Sequence, residues 1–251
     1  MAEKKTTDKK ASDKKSTEKK AIVKKTADKK TTIKSTEPID KKQLILDKYM
    51  DYVLTHGEQP KSVHAFTKSL EMNETEFYTF FNTFDRIDSE IFQGFYENTM
   101  QQLVADDMYL QGNAKYKLLT FYFVLFEQLT ENRSFVLSAL TKDMNKLKSL
   151  GKLKDFKKYF TKFISSLEFD KIDLKVEKVN DLVEKSMEQV FYGQFLFLLN
   201  FWMNDTSSGF EKTDVLIEKT VLAGFDMIQT KPLESILDLG KFLWKEISFK
   251  K

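Results

Sequence analysis

Cysteine is absent from the chain, so neither a disulfide framework nor a thiolate metal centre or nucleophile can be built. That suits a reducing cytoplasm, the expected location. Histidine is nearly absent too. His56 and His64 are the only two, eight positions apart across a Gly–Pro turn, with no carboxylate at metal-ligand spacing. No Gly-rich phosphate loop and no Gly-x-Ser-x-Gly elbow occurs. No catalytic residues, metal or cofactor are therefore expected, and the chain reads as a non-enzyme. No apolar segment of the kind found in secretory signals opens it. The longest apolar stretch, "VFYGQFLFLLNFWM" at 190–203, holds 14 residues including Gln194 and Asn200, whereas a membrane span needs about 20. Proline numbers only three and phenylalanine 23, a balance that suits a large helical core.

Charge is unevenly spread. Residues 1–42 hold 15 lysines against 7 acids, a net of +8. Residues 43–92 hold 4 cations against 9 acids, a net of −5, and the remainder balances at 22 against 22. The sequence pI of about 8.6 is thus a property of the tail alone. That tail repeats a five-residue unit, "KKTTD KKASD KKSTE KKAIV KKTAD KKTTI", without one aromatic side chain. Such a segment cannot offset the entropy of ordering and is predicted to be disordered. Its lysines fit loose attraction to nucleic acid or another anionic surface. The plainer alternative is a solubilising extension whose interleaved acids dilute its charge.

From Gln43 onward the pattern is helical. A first helix over 43–55 sets Ile45, Tyr49, Tyr52 and Val53 on one face; Gly57 ends it and Pro60 holds the turn. Ser62 can cap a second helix through Leu70. Asn73, with Glu76 three residues on, resembles a capping box opening a third, whose inward residues would be Phe77, Phe81 and Phe84. Three short helices with these boundaries fit a helix-turn-helix module over 43–92.

The runs "ILDKYMDYVLTHG", "SVHAFTKSLEMN" and "EFYTFFNTFDRIDSEIFQGF" resemble the N-terminal domain of the TetR family of transcriptional regulators. The resemblance implies an all-α, TetR-like fold: a homeodomain-like helix-turn-helix domain (43–92), then a six- to seven-helix ligand-binding and dimerisation domain (93–251). The departures are informative. Glu71 stands where the family commonly has Gly before the third helix. Phe80 and Phe84 stand where it often has a His and a Lys facing phosphate. Under the reading that operator DNA is bound, the contact candidates are Lys61, Ser62, Lys68 and Tyr78. DNA affinity rests on Lys and Arg neutralising phosphates, so a module of net −5 opposes the duplex. Glu74 and Glu76 suit the positive end of a helix dipole, but that same end must approach the bases.

Beyond 92, helices are predicted near 86–108, 115–131, 134–149, 153–168, 175–204, 209–230 and 232–248. Ser208 with Glu211 reads as a second capping box, and Pro232 suits a first helical turn. "FWMNDTSSGFEKTD" is similar to the junction of the two dimerising helices in some TetR members. The helix at 175–204 carries one apolar stripe as far as Val190 and is apolar around its circumference afterwards, so it must be covered on every side. A homodimer would cover it through Phe197, Phe201, Trp202, Leu216, Val221 and Phe225; the alternative is burial within one chain. A ligand pocket is expected among Phe121, Phe123, Phe126, Phe160, Phe163, Phe191 and Phe195, with Tyr122 or Gln194 orienting a polar head. The plain alternative is that these rings are simply core. In the last helix Leu233, Ile236, Leu237, Leu243 and Ile247 form a stripe beside Trp244. That pattern suits an interfacial membrane helix or a protein-docking helix, or packing on the parent domain. The function expected is a TetR-like dimer for an apolar, lipid-like small molecule with sequence-specific DNA binding weakened or lost. The alternative is a ligand-responsive regulator that binds operator DNA.

Overall fold

The computed structural model describes residues 40–141, 146–169 and 177–229, and every regular element among them is helical. The sequence places Ile45, Tyr49 and Val53 four apart, which is the spacing of one helix face, and all three are buried in α1 (Lys41–His56). The helix starts two residues before the expected position. Lys41 and Lys42 lie in its first turn and reach Glu76 and Glu90. Gly57 ends it at φ 71°, its N–H donating to the Val53 carbonyl at 2.8 Å.

α2 (Val63–Ser69) opens on Ser62, whose hydroxyl accepts from the Ala65 amide as expected. Its other end is less comfortable. The Met72 N–H reaches the Thr67 carbonyl and the Glu71 N–H the Lys68 carbonyl, the paired bonds of a Schellman close. That motif requires a left-handed residue, and Glu71 occupies the position at φ 53°. A side chain costs about 1–2 kcal/mol in that conformation, which glycine avoids at the expense of a more flexible unfolded chain. Glu71→Gly is therefore expected to stabilise the protein by about 0.5–1 kcal/mol, seen as a higher urea midpoint at unchanged slope. A midpoint that stays or falls would show that the turn carries no strain.

α3 (Glu74–Phe80) is shorter than the pattern implied. Asn73 takes the N-cap position but makes no side-chain cap bond, so the expected box with Glu76 does not close; Glu76 is turned to Lys41 instead. Phe77 and Phe81 are buried as expected, but Phe84 does not belong to this helix. Thr83 breaks the chain there, its hydroxyl accepting from the Arg86 amide, and Phe84 begins α4 (Phe84–Leu103). From there its ring still closes the small core, stacked on Tyr49 at 5.7 Å and meeting Phe66 and Phe77.

The helix expected over 86–108 is two. α4 stops at Leu103 because Asp106 competes for the backbone, capping the Met108 amide at the head of α5 (Asp107–Gln111). Then come α6 (Ala114–Glu131), α7 (Arg133–Thr141), α8 (Lys146–Gly151), α9 (Lys154–Ser166), α10 (Glu177–Asn204) and α11 (Glu211–Gln229). The helix expected over 134–149 coincides with α7 and, past residues 142–145, which are not among the described residues, with α8. α4 packs on α6 and α9, α9 on α10, and α11 on α6 and α10.

The α10–α11 turn corrects a second cap. Asp205 and Ser207, rather than Ser208 with Glu211, hold it. One Asp205 oxygen accepts from the Ser207 amide and hydroxyl, the other from the Thr213 amide and hydroxyl. The Ser207 hydroxyl in turn accepts from the Lys212 amide. A short 3-10 turn, Ser208–Phe210, crosses the gap with Gly209 at φ 61° and Phe210 at φ 58°. Two acceptor oxygens reach donors on both sides of the turn, which one serine hydroxyl could not do.

Candidate functional site

Three helices, α6, α9 and α10, carry the predicted aromatic residues of the pocket, although not as one shell. On α9, Phe156, Phe160 and Phe163 share a face at spacings of four and three. Phe160 packs on Phe121 and Tyr122 from α6 and on Phe195 from α10, at 5.7, 6.1 and 5.7 Å. Phe163 stacks on Phe121 at 4.7 Å and Phe156 on Phe195 at 4.5 Å. These rings are almost wholly buried. Phe126 and Phe191 stand at the margins. Phe126 faces Trp202 at 6.1 Å, and Phe191 faces Phe169 and Phe225 at 5.4 and 6.0 Å. Phe123 is half-buried.

The two polar residues singled out in the sequence find one another. Tyr122 donates from its hydroxyl towards the Gln194 side-chain oxygen at 3.3 Å and the Phe191 carbonyl at 3.4 Å. Complete burial pushes the Tyr122 phenol well above its ordinary pKa, so it remains a neutral donor. Sequence reasoning missed Phe156, Tyr192 and Tyr96. Tyr96 enters from α4, stacking on Tyr159 at 5.7 Å and touching Phe121. Phe156 had a legible signal, since it stands four residues before Phe160 on the same stripe.

The exposed side of α10 and α11 differs from the expected interface. Trp202, Val221 and Phe225 are covered by the chain's own helices. Phe201 and Leu216 are half-buried. Among the described residues of these helices, the large apolar side chains left facing outward are Val190 (67%), Phe197 (53%), Val215 (48%) and Leu222 (46%). The candidates between Leu233 and Ile247 lie outside the described residues.

In the helix-turn-helix module, Lys61, Lys68 and Tyr78 are exposed, while the Ser62 hydroxyl is engaged as a cap. Tyr78, Thr75, Thr79 and Phe80 make up the outward face of α3, which bears no cation. Both its acids are engaged within the module, Glu74 with His64 at 2.9 Å and Glu76 with Lys41.

A polar centre lies beneath the module. Asp88, on the second turn of α4, is 1% exposed. One of its oxygens accepts from the Tyr49 hydroxyl at 2.9 Å; the other accepts from the Gln59 amide at 2.9 Å and pairs with Lys152 at 3.0 Å. Lys152 also donates to the Ala139 carbonyl of α7 at 2.9 Å. Burial pushes the Asp88 carboxyl up, against the downward pull of Lys152 and then of its hydrogen bonds. The signal missed was a carboxylate within an apolar stripe, flanked at four residues by Phe84 and Phe92.

Residues 117–243 match a family model described as tetracyclin repressor-like, C-terminal domain. No match was found among curated proteins. Among solved structures, the fatty acid degradation regulator FadR from Bacillus halodurans is similar in fold. The alignment has 15% sequence identity and a TM-score of 0.50 over 74% of this chain and 97% of that one. Half of the chain falls within the matched family model: the chain belongs to the tetracyclin repressor-like, or TetR, family.

Proposed function

We propose that the chain is a TetR-type dimer that takes an apolar, lipid-like ligand among α4, α6, α9 and α10, with sequence-specific DNA binding weakened. The observation carrying this reading is the aromatic cluster, where Phe121, Phe156, Phe160, Phe163 and Phe195 meet beside a neutral donor–acceptor pair, Tyr122 and Gln194. An apolar wall with a few fixed polar groups is the usual composition of a small-molecule site. Here it would suit a long alkyl or prenyl chain bearing a hydrogen-bonding head. Ligand entry would exchange ring–ring contacts for ring–chain contacts.

Native mass spectrometry of protein purified gently from its own cells tests this directly. A dimer carrying a retained apolar molecule is expected. Palmitate is the first probe for titration, because the structurally similar FadR is a fatty acid degradation regulator. Protein that retains nothing and ignores palmitate, a long-chain acyl thioester and an isoprenoid quinone would overturn the ligand reading.

For the dimer, the outward Val190, Phe197, Val215 and Leu222 fit a second copy of the same face. Phe197→Glu is expected to weaken association by roughly two orders of magnitude or more without unfolding the chain, because the side chain already meets water in one copy. Sedimentation velocity reads this, and an unchanged dimer would move the interface elsewhere.

For DNA, selection from random duplexes at about 150 mM salt is expected to yield no discrete operator. Glu74→Lys with Glu76→Lys should raise sequence-blind affinity. The second reading, operator binding, rests on exposed Tyr78, Lys61 and Lys68; recovery of one operator sequence would establish it.

A further inference from the structure

We propose that the buried Asp88–Lys152 pair sets the orientation of the helix-turn-helix module on the remainder of the chain, with Lys152 as the positioning residue. The geometry is that of a junction. Asp88 belongs to α4, the helix shared by both parts. Its partners Tyr49 and Gln59 come from α1 and the loop after it, while Lys152 comes from the connection between α8 and α9. Lys152 is anchored on the far side by the Ala139 carbonyl of α7. A single ammonium thus ties the carboxylate that orders α1 to the carbonyl that ends a turn of α7.

Besides one hydrogen bond from the Ser138 hydroxyl of α7 to the Gly57 carbonyl at 3.2 Å, the surrounding contacts are less discriminating. α1 meets α7 through rings such as Tyr49 and Phe135, 6.4 Å apart and edge to face. Ring contacts of that kind tolerate sliding. The half-exposed Arg86–Asp155 pair is screened by water. A fully buried ion pair differs: moving it by an ångström or two strands a charge, so few orientations satisfy it. Such pairs often add little net stability, because both charges lose their hydration, yet in some proteins they select one arrangement among several. That is the role assigned here. It goes beyond the ligand reading and can be measured with no ligand present.

The absence of native cysteine makes the test clean. Spin labels at Lys61→Cys in the module and Lys219→Cys on α11, both exposed, report the distance between the two parts in the full-length protein. The informative variant replaces both members, Asp88→Asn with Lys152→Met. Removing Lys152 alone leaves the buried Asp88 carboxylate without its cation and threatens the fold. The expected result is a double variant that keeps its helicity and melts within about 5 °C of the parent, while its inter-label distance distribution broadens by about twofold or more. Amide exchange in α1–α3 should quicken together with this, and that in α6 and α9 should not. A folded double variant with a distribution as narrow as the parent's would overturn the proposal, since packing alone would then fix the module. A double variant that fails to fold would overturn it equally, by showing that the pair carries stability.

Discussion

Trp202→Ala is expected to destabilise the fold by about 3–5 kcal/mol, and to do so by emptying the core of a single chain. The indole is completely buried. Its N–H donates to the Thr130 hydroxyl at 3.0 Å, joining the end of α10 to that of α6. Phe126 and Phe210 meet the ring at 6.1 and 6.2 Å, and the Arg133 guanidinium lies over it at 4.5 Å. Arg133 also lies over Phe210 at 4.7 Å, and its two nitrogens donate to the Trp202 and Met203 carbonyls at 2.9 and 3.0 Å. A cation on the last carbonyls of a helix is favoured by the dipole and adds donors to the acceptors there. Alanine at 202 would leave a cavity and an unpaired Thr130, and would strip one face from the guanidinium. Chemical denaturation should show the midpoint fall in proportion, with α10 and α11 losing exchange protection first. Phe197→Glu provides the contrast, since it should dissociate the proposed dimer and spare the fold. A Trp202→Ala protein of parental stability that sediments as a monomer would place the indole between copies rather than inside one.

That contrast marks where the sequence was legible and where it was not. Periodicity identified most helices because amphipathic spacing is a local property: Ile45, Tyr49 and Val53 need no knowledge of what covers them. The all-helical, TetR-like fold followed from the spacing of the first three helices and from family resemblance. Beyond Val190, α10 is apolar around its circumference, and there the sequence cannot separate the two sources of cover. Trp202 and Phe197 look equivalent as residues, yet one is fully buried and the other is 53% exposed. Which face meets α6 and α11 depends on the angle at which helices cross, and that depends on the whole core.

Caps failed for a related reason. Asn73 and Glu76 have the right spacing, but Lys41 competes for the glutamate from another helix. Asp205 outcompetes Ser208 because one carboxylate reaches donors on both sides of a turn. The polar centre at Asp88 was hidden more deeply. Its partners Tyr49, Gln59 and Lys152 are 39, 29 and 64 residues away, and no local pattern encodes such a meeting. The aromatic cluster lay between these extremes: its members were legible as apolar residues, while their division among the main stack, Trp202 and Phe225 required the fold.

The Asp205 turn gives the other large effect, with a dependence on pH that separates it from the rest of the chain. Burial alone would push the Asp205 carboxyl up. The hydrogen bonds from Ser207 and Thr213, hydroxyls and amides together, outweigh this and hold it well below the usual carboxylate range. Asp205→Ala removes the acceptor for all four donors, and Thr213 is buried. A cost of about 2–3 kcal/mol follows from a lost cap together with stranded donors. Asp205→Asn should fall between the parent and alanine, because the amide keeps one accepting oxygen and turns two N–H groups towards donors. A carboxyl whose folded value is depressed contributes stability that is fully present above its unfolded pKa, about 3.9, and is lost as the pH falls through the folded value. Asp88 has the opposite sign. Its folded value is raised, so its contribution is complete below the unfolded pKa and declines as the pH rises through the folded one. The raw stability curve mixes the two, but subtracting the Asp205→Asn curve from that of the parent isolates the turn. The difference should be constant from neutral pH down to about 4 and shrink below it. A difference that does not shrink in acid would mean that the carboxylate's charge contributes nothing to closing the turn.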